Sequence, residues 1–555
     1  MPVTPYIATE EVLRVEVLIG TDNNGLDTLL TDARINFELN KIPSAKFTFL
    51  ASNYDLDNKM ALPSDKLQVD QEITFDIFSG DKKKTLFKGF IKSIEKLQAG
   101  NYINVKIECK DKAHTMTLPS TEAETNEQTF DDKLKLFTKG LTLNSHLSGK
   151  GWGKEKITHN TNTCPWDFVL SYLDSIGVFV AVRNGEFNGV DILENPSSEK
   201  YLAENGINVF AFSGKSDITK KIRKATIEYW DPATQAVQNE SKEQESLNDI
   251  KKTIKLNESR FDPSTLKRMA ESILTKSIIQ TTNGKVETFG NLEAQAGDYI
   301  KCKKVNEKID DVLLLITAEQ HSIAKGCWKT EYTFGLESEQ TFAESAAKQS
   351  PSPQAQIGQN NSINGLQIGV VTQIEEDPNN EFRIKVRIPI LSEKGEGVWA
   401  RLATLNASKE MGSYFIPSVG DEVILGCLGN NPDTPIVLGS LYSSANKMPF
   451  PIAKENYVKG FVTKEGTKII LDDEKKFIEL STKKGNKLLI SDDEKGFVLE
   501  DENKNKIMMN QDGITIESSK DLIIKAKGDV KMEGIGCNVK ASAIMELKGS
   551  VIKLN

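Results

Sequence analysis

The chain has 555 residues and a formal net charge of −9, from 70 basic and 79 acidic side chains. That length fits about three to five domains, each able to bury a core, and the interleaving of the two signs excludes wholesale nucleic-acid binding. Six cysteines (Cys109, Cys164, Cys302, Cys327, Cys427, Cys537) stand apart with no CxxC pair, which excludes a disulfide framework and reads as small buried hydrophobes in a reducing compartment.

The opening, MPVTPYIATEEVLRVEV, has no basic segment followed by an apolar one, so no signal peptide is expected, and no run is long enough to span a membrane. Residues 1–115 then alternate as strands: LRVEVLIG, ARINFELN, AKFTFLA, EITFDIF, TLFKGFIKSIEKL and YINVKIEC. Clusters of Gly, Asn and Asp separate them, as in a small antiparallel barrel, with Asp81-Lys82-Lys83-Lys84 as a hairpin turn.

Between 116 and 220 the pattern is mixed α/β. Asp131 to Phe137 reads as a short helix closed by Gly140. A second helix opens at Thr163, carries Pro165 in its first turn, and is ended by Gly177. The strand Val178–Val182 follows. Gly214-Lys215-Ser216 has the ending of a phosphate loop, but the position of the first glycine is Val209 and the next segment alternates as a strand. No phosphate cradle is expected there. Residues 221–338 return to strands, broken by one helix with Asp262 as its cap and Pro263 in its first turn. The polar, Ser/Pro- and Asn/Gln-rich stretch 339–365 reads as a linker.

Residues 366–445 hold about five strands with DPNN, VGD and NNPD turns, the pattern of a compact Greek-key barrel of the OB type. The basic groove with spaced aromatics that would bind an oligonucleotide is missing. A connector, 446–465, leads to the last segment, 466–555. Here short β-prone runs and polar turns recur about every 19 to 20 residues. Beyond Lys520 they shorten to apolar–polar–apolar triplets such as Val530-Lys531-Met532 and Met545-Glu546-Leu547. Period-2 alternation points Ile469, Leu471, Ile514, Ile516, Val530, Met532, Met545 and Leu547 inward and sends Lys and Glu outward. One chain this thin does not wrap a core around itself, and a monomeric solenoid would show a fixed short repeat. The pattern therefore predicts an intertwined β-helical needle shared by several copies.

The OB segment resembles that of the valine-glycine repeat protein G (VgrG) family, the spikes of contractile injection systems, phage tails and type VI secretion. The matching pieces are Gly369-Val370-Val371, Asp377-Pro378, Arg383-Ile384-Lys385-Val386, Val398-Trp399-Ala400-Arg401, Pro417 to Val423 and Asn431 to Tyr442. Pro165-Trp166-Asp167-Phe168 and Ala296-Gly297-Asp298-Tyr299-Ile300 resemble the family's hub motifs. The resemblance implies a mainly β protein: two hub β-barrels (1–115 and 221–338) around the mixed insert (116–220), an OB-fold barrel, and a trimeric β-helix spike. It implies a homotrimer that caps an inner tube ring, sits among baseplate proteins and punctures an envelope, with effector cargo as a further partner and no nucleic acid. A PAAR-type tip cap would sit on Ile552, Leu554 and Asn555. Such a protein would assemble in the bacterial cytoplasm and leave as part of the particle.

No catalytic constellation stands out, and neither a cofactor nor a metal is expected. Four histidines (His114, His146, His159, His321) lack paired ligand spacing, and there is neither an HExxH nor a G-x-S-x-G motif. His321, in an alternating strand, reads as a packed residue. The acidic runs Asp472-Asp473-Glu474 and Asp492-Asp493-Glu494 read as solvated turns, with cation binding between copies as the alternative. The rival functional class is an enzyme, a β-helical polysaccharide-degrading enzyme or a baseplate cell-wall hydrolase.

Overall fold

The computed structural model describes residues 13–23, 25–52, 67–79, 82–119, 128–143, 147, 154, 156–157, 164–194, 198–219, 221–246, 249–256, 259, 261–337, 363, 365–391, 395–493 and 495–553. It divides into two compact units, Met1–Leu441 and Tyr442–Asn555.

In the first unit, strands from both sides of the insert, with Tyr201–Glu204 and Val209–Ser216 from its last part, form one 13-stranded sheet, while Lys224–Asp231, Ala236–Glu243 and Lys251–Leu256 form a separate three-stranded sheet. The main path of the large sheet runs from Val209–Ser216 through Thr282–Phe289, Cys327–Phe334 and Leu314–Ala324, then into Leu30–Glu38, Ser44–Ser52, Tyr102–Lys110, Lys82–Ala99, Glu72–Ser79 and Arg14–Ile19. This large sheet covers two separate apolar cores. Phe47, Phe49, Phe75 and Phe87 fill the first, and Tyr201, Val286, Ile316, Tyr332 and Phe334 the second. The sequence pattern did not reveal that one sheet spans both. Leu314–Ala324 pairs antiparallel with Leu30–Glu38, and Gln320 Nε2 donates to Asn36 Oδ1 at 2.6 Å across the seam. Lys83 and Lys84 lie inside a strand, not in a turn, and Lys83 pairs with Glu16 and Asp76 at 2.7 and 2.9 Å. Asp81 lies outside the described residues.

Among the described residues, three helices besides the short α1 (Leu26–Leu29) pack into the core around the insert. These are α2 (Phe130–Phe137), α3 (Pro165–Ser175) and α4 (Pro263–Ile279), which comes from the later segment but packs here. Asp262 caps α4 by accepting from the backbone N–H groups of Ser264 and Thr265, and α3 begins at Pro165, two residues later than the sequence suggested. Phe130 stacks on Tyr172 at 4.0 Å between centroids, which binds α2 to α3. Gly177 ends α3 with φ 77°, a conformation that needs no Cβ. The insert is pinned to the sheet by Asn40, whose backbone N–H and side-chain Oδ1 satisfy the carbonyl and N–H of Val180. Arg183, from the insert strand Val178–Arg183, pairs with Glu319 of the sheet and lies over Phe37. Gly214-Lys215-Ser216 is the end of an edge strand with no helix after it, so it forms no phosphate loop.

Strands Leu366–Gln373, Ile384–Arg387, Val398–Leu402, Pro435–Ser440 and Glu422–Cys427 close the five-stranded barrel expected over 366–445. Val371, Val386, Ala400, Val423, Leu425 and Val437 fill it. Of the linker 339–365, only Ile363 and Gly365 are among the described residues.

The second unit is a seven-stranded antiparallel meander of five-residue strands: Val458–Val462, Lys468–Asp472, Phe477–Ser481, Lys487–Ser491, Gly496–Glu500, Lys506–Asn510 and Gly513–Glu517. Successive equivalent strands start at Lys468, Lys487 and Lys506, so the repeat is 19 residues. Its turns are equivalent too: Gly466, Gly485 and Lys504 each donate their N–H to the carbonyl three residues back and each has a positive φ.

Candidate functional site: an unpartnered apolar face

The strand register of the meander sorts its side chains. One row runs Leu471, Ile478, Ile490, Phe497, Met509, Ile514 across six strands. A second row on the same face runs Ile469, Leu480, Leu488, Leu499, Ile507, Ile516, because residues two apart in a strand share a face. Every member is apolar, and each keeps between 36% and 70% of its surface exposed. The opposite face has one central row, Ile470, Glu479, Leu489, Val498, Met508 and Thr515, flanked on one side by lysines, glutamates and a serine and on the other by a row that includes Asp472, Phe477 and Ser491. Among the described residues beyond Leu441, only Val498 is a buried apolar side chain. A contiguous apolar face of this kind is the mark of an interface. The expected core residues Ile469, Leu471, Ile514 and Ile516 all lie on the two-row face.

After Glu517 the character changes. Among the described residues no strand and no backbone ladder follows, and every residue from Gln511 to Lys553 is exposed. Val530, Met532, Met545 and Leu547 expose 57%, 75%, 51% and 65% of their surface, and Ile552 exposes 52%. Exposed backbone of this length that joins no strand ladder of its own chain is what a β-structure completed by other chains requires. Leu554 and Asn555 lie outside the described residues.

The acidic turns depart from a solvated reading in one position. Asp472 is buried and accepts from the N–H of Lys475 at 2.9 Å, so its carboxylate is used within its own turn. Glu494 is outside the described residues. Among the described residues, no group of three or more His, Cys, Asp or Glu side chains is placed to hold a metal ion.

In the first unit His321 is buried, with Nδ1 3.0 Å from Thr330 Oγ1 and Nε2 3.8 Å from Glu319. Burial, with the nearby charges of Arg183 and Lys84, pushes its pKa down to about 3. The adjacent Glu319 does not reverse this because Arg183 claims its carboxylate. His321 is thus a neutral packed residue, as its place in an alternating strand suggested. A cavity of about 560 Å³ opens over the seam of the sheet beside Trp166. Among its polar groups, Lys285 pairs with Glu331 and Gln320 with Asn36. The arrangement holds no nucleophile with a base.

Three sequence comparisons match this architecture in chain order. Residues 9–325, more than half of the chain, match the Alg8 N-terminal domain. The chain belongs to the Alg8 N-terminal domain family. After that domain, residues 367–442 match the type VI secretion system/phage-baseplate injector OB domain, and residues 476–545 match the phage baseplate V C-terminal trimerisation domain. Over these two segments the chain is thus similar to spike proteins of the type VI secretion and phage-baseplate kind.

The similarity to named relatives is local. The type VI secretion system spike protein VgrG5 of Pseudomonas aeruginosa is 38% identical over 65 residues, covering 12% of this chain and 8% of that one. VgrG3 of Vibrio cholerae is 36% identical over 78 residues, covering 13% of this chain and 8% of its own length. The chain thus spans under a tenth of the length of each of these two relatives. The fold extends much further. In the half-lidded Francisella PdpA–VgrG complex, one chain superposes with a TM-score of 0.54 at 12% identity, covering 93% of this chain and 89% of that one.

Sequence reasoning missed two features. The seam of the large sheet involves residues almost 300 positions apart, and no local period reports such a pairing. The second is the exposed rim of the OB barrel between Leu405 and Ile416, to which the sequence reading gave no role.

Proposed function

We propose that the chain is the hub and spike of a contractile injection apparatus, a homotrimer held together by the needle. The first unit would form the hub, three copies presenting their sheets to an inner tube ring and baseplate proteins. The OB barrel would form a collar, and residues 466–555 a trimeric β-helix whose core includes Ile469, Leu471, Ile514, Ile516, Val530, Met532, Met545 and Leu547. The tip around Ile552, Leu554 and Asn555 would take a separate PAAR-type cap. Effector cargo would travel with the spike, which would be made in the bacterial cytoplasm and exported with the particle.

The observation that carries this reading is the two-row apolar face, followed by residues 518–553, which are all exposed and belong to no strand of their own chain. Covering that face with two further copies removes apolar area from water and satisfies the free backbone at the same time. The role is mechanical: a hydrogen-bonded β-structure with no free edge resists bending and needs no chemistry of its own.

The test is light scattering on the full chain and on a chain ended at Pro451. The full chain is expected as a trimer at low micromolar concentration, and the shortened one as a predominantly monomeric, folded hub and barrel. A shortened chain that remains fully trimeric would assign the assembly to the first unit and overturn the role given to the needle.

A further inference from the structure

The strand directions of the OB barrel separate its two ends. If Leu366–Gln373 runs up, then Ile384–Arg387 runs down, Val398–Leu402 up, Glu422–Cys427 down and Pro435–Ser440 up. Segments 374–383 and 403–421 therefore lie at one end, together with the point at which the chain leaves the barrel. That end carries Phe382 and Leu405, each 94% exposed, and Tyr414, 84% exposed, with Met411 and Phe415 beside them in sequence and also exposed.

Phe382 is held there by a built device. Its φ is 57°, a left-handed backbone that a bulky side chain rarely adopts. Asp377 enforces it. One carboxylate oxygen accepts from the N–H groups of Glu381 and Arg383, on either side of Phe382, at 2.8 and 3.1 Å. The other accepts from the N–H of Asn379 and from Nη2 of Arg383, at 3.1 and 2.7 Å. Asp377 and Arg383 are themselves 7% and 6% exposed. A buried ion pair thus fixes a strained turn whose effect is to stand an aromatic ring in water. Strain of this kind persists where the surroundings over-determine it, and such sites concentrate at ligand clamps and switches.

The other half of the surface is preformed as well. Ala407–Ser408 pairs with Met411–Gly412 in a small hairpin, closed by Ser413 N–H to the Asn406 carbonyl at 2.9 Å and by Thr404 Oγ1 to the Ser413 carbonyl at 3.0 Å. Leu405 and Phe382 share a barrel end, yet both are almost wholly exposed, so neither covers the other within one chain.

We propose that Phe382 is a docking anchor that seats on the 403–416 hairpin of a second copy, so that the barrels close into a three-fold collar. The proposal rests on the trimeric reading above and says which residues join the barrels. The occupant is a second copy because of the connection to the needle. The chain leaves the barrel at Ser440 and enters the first needle strand at Val458. The connector reaches about 60 Å at full extension, so a shared needle keeps three barrels at high mutual concentration. An anchor and a receiving hairpin that differ from each other make a head-to-tail contact, which closes into a ring under three-fold symmetry. A fully exposed aromatic that fills a partner's apolar patch is the usual form of a binding hot spot.

The experiment places the photo-crosslinker p-benzoylphenylalanine at position 382 of the full chain, in a mixture of ordinary and 15N-labelled copies, with light scattering on the same sample. A trimer whose crosslinks join position 382 of one copy to residues 403–416 of another supports the proposal. A trimer with no crosslink between copies, or with crosslinks only within a chain or to another segment, overturns it and leaves the trimer intact. A monomer overturns both. Phe382→Gly provides a second, opposing readout, with Trp399 fluorescence confirming that the barrel is folded. Relief of strain alone would leave the hairpin amides unchanged in the trimer. Loss of an anchor should speed their hydrogen exchange by about tenfold or more, and an unchanged rate counts against the proposal.

Discussion

At the scale of single residues the chain uses buried charge to set backbone and leaves one buried base uncharged. Asp377 shows the first use. Burial alone would raise its pKa, but Arg383 and the N–H groups of Arg383, Asn379 and Glu381 win and hold its carboxyl well below the ordinary range. His321 shows the second, and its pH dependence has a definite sign. In the unfolded chain it takes a proton near pH 6.5, but in the folded chain only near pH 3. The unfolded state therefore binds more protons between those values, so stability is full above about pH 6.5 and is lost as the pH falls toward 3. Between pH 7.5 and 5 this group alone should cost about 2 kcal/mol. His321→Gln, which keeps a partner for Thr330, should shrink the shift in denaturant midpoint between those two pH values by about that amount. Equal shifts in the two proteins would show that the imidazole is not the group responsible. A different residue-scale test concerns Lys504, which occupies with φ 69° the turn position held by Gly466 and Gly485 in the preceding repeats. Lys504→Gly should raise the needle's melting temperature, by relief of about 1 kcal/mol per chain. A fall would mean that the lysine side chain contributes more than its backbone costs.

At the scale of elements, what could be read from the sequence followed the range of the interactions. The helix ends were legible because their causes are local: Asp262 before Pro263, and Gly177 after α3. The OB barrel was legible because its turns are chemically distinctive. The strands of the last segment were legible through alternation, which also put Ile469 and Leu471 on one common face. The join of Leu314–Ala324 to Leu30–Glu38 was not legible, since register across such a distance is set by packing alone. Nor was the exposure of Phe382, which depends on a carboxylate folded back over its own turn. The face assignment can be tested with neighbouring residues in one strand. Ile469→Asp would place a charge from each copy in the shared apolar core, where unpaired charge is strongly disfavoured. Lys468→Asp changes an exposed side chain of the other face. Thermal melting followed by strand circular dichroism should show a drop of many degrees for the first and little for the second. Similar drops would mean that the two-row face is not the one brought together.

At the scale of the whole molecule the two units differ in what they need in order to fold. All five apolar core clusters among the described residues lie in the first unit. Among its described residues the second unit has a single buried apolar side chain, Val498. A segment without a core gains too little to offset its conformational entropy, so its folding must be coupled to association and must depend on concentration. The first unit carries no such requirement. The sequence supplies a convenient separation of signals, because all five tryptophans, Trp152, Trp166, Trp230, Trp328 and Trp399, precede the needle. When the denatured full chain is diluted into buffer at a series of concentrations, tryptophan fluorescence should recover at one rate throughout. The trimer, counted by light scattering or native mass spectrometry, should instead appear at a rate that climbs steeply with concentration, as expected when three chains must meet before any strand of the needle is covered. If tryptophan recovery slowed in step with trimer formation at low concentration, the first unit would itself depend on its neighbours, and the division between a self-sufficient hub and an obligately shared spike would be wrong.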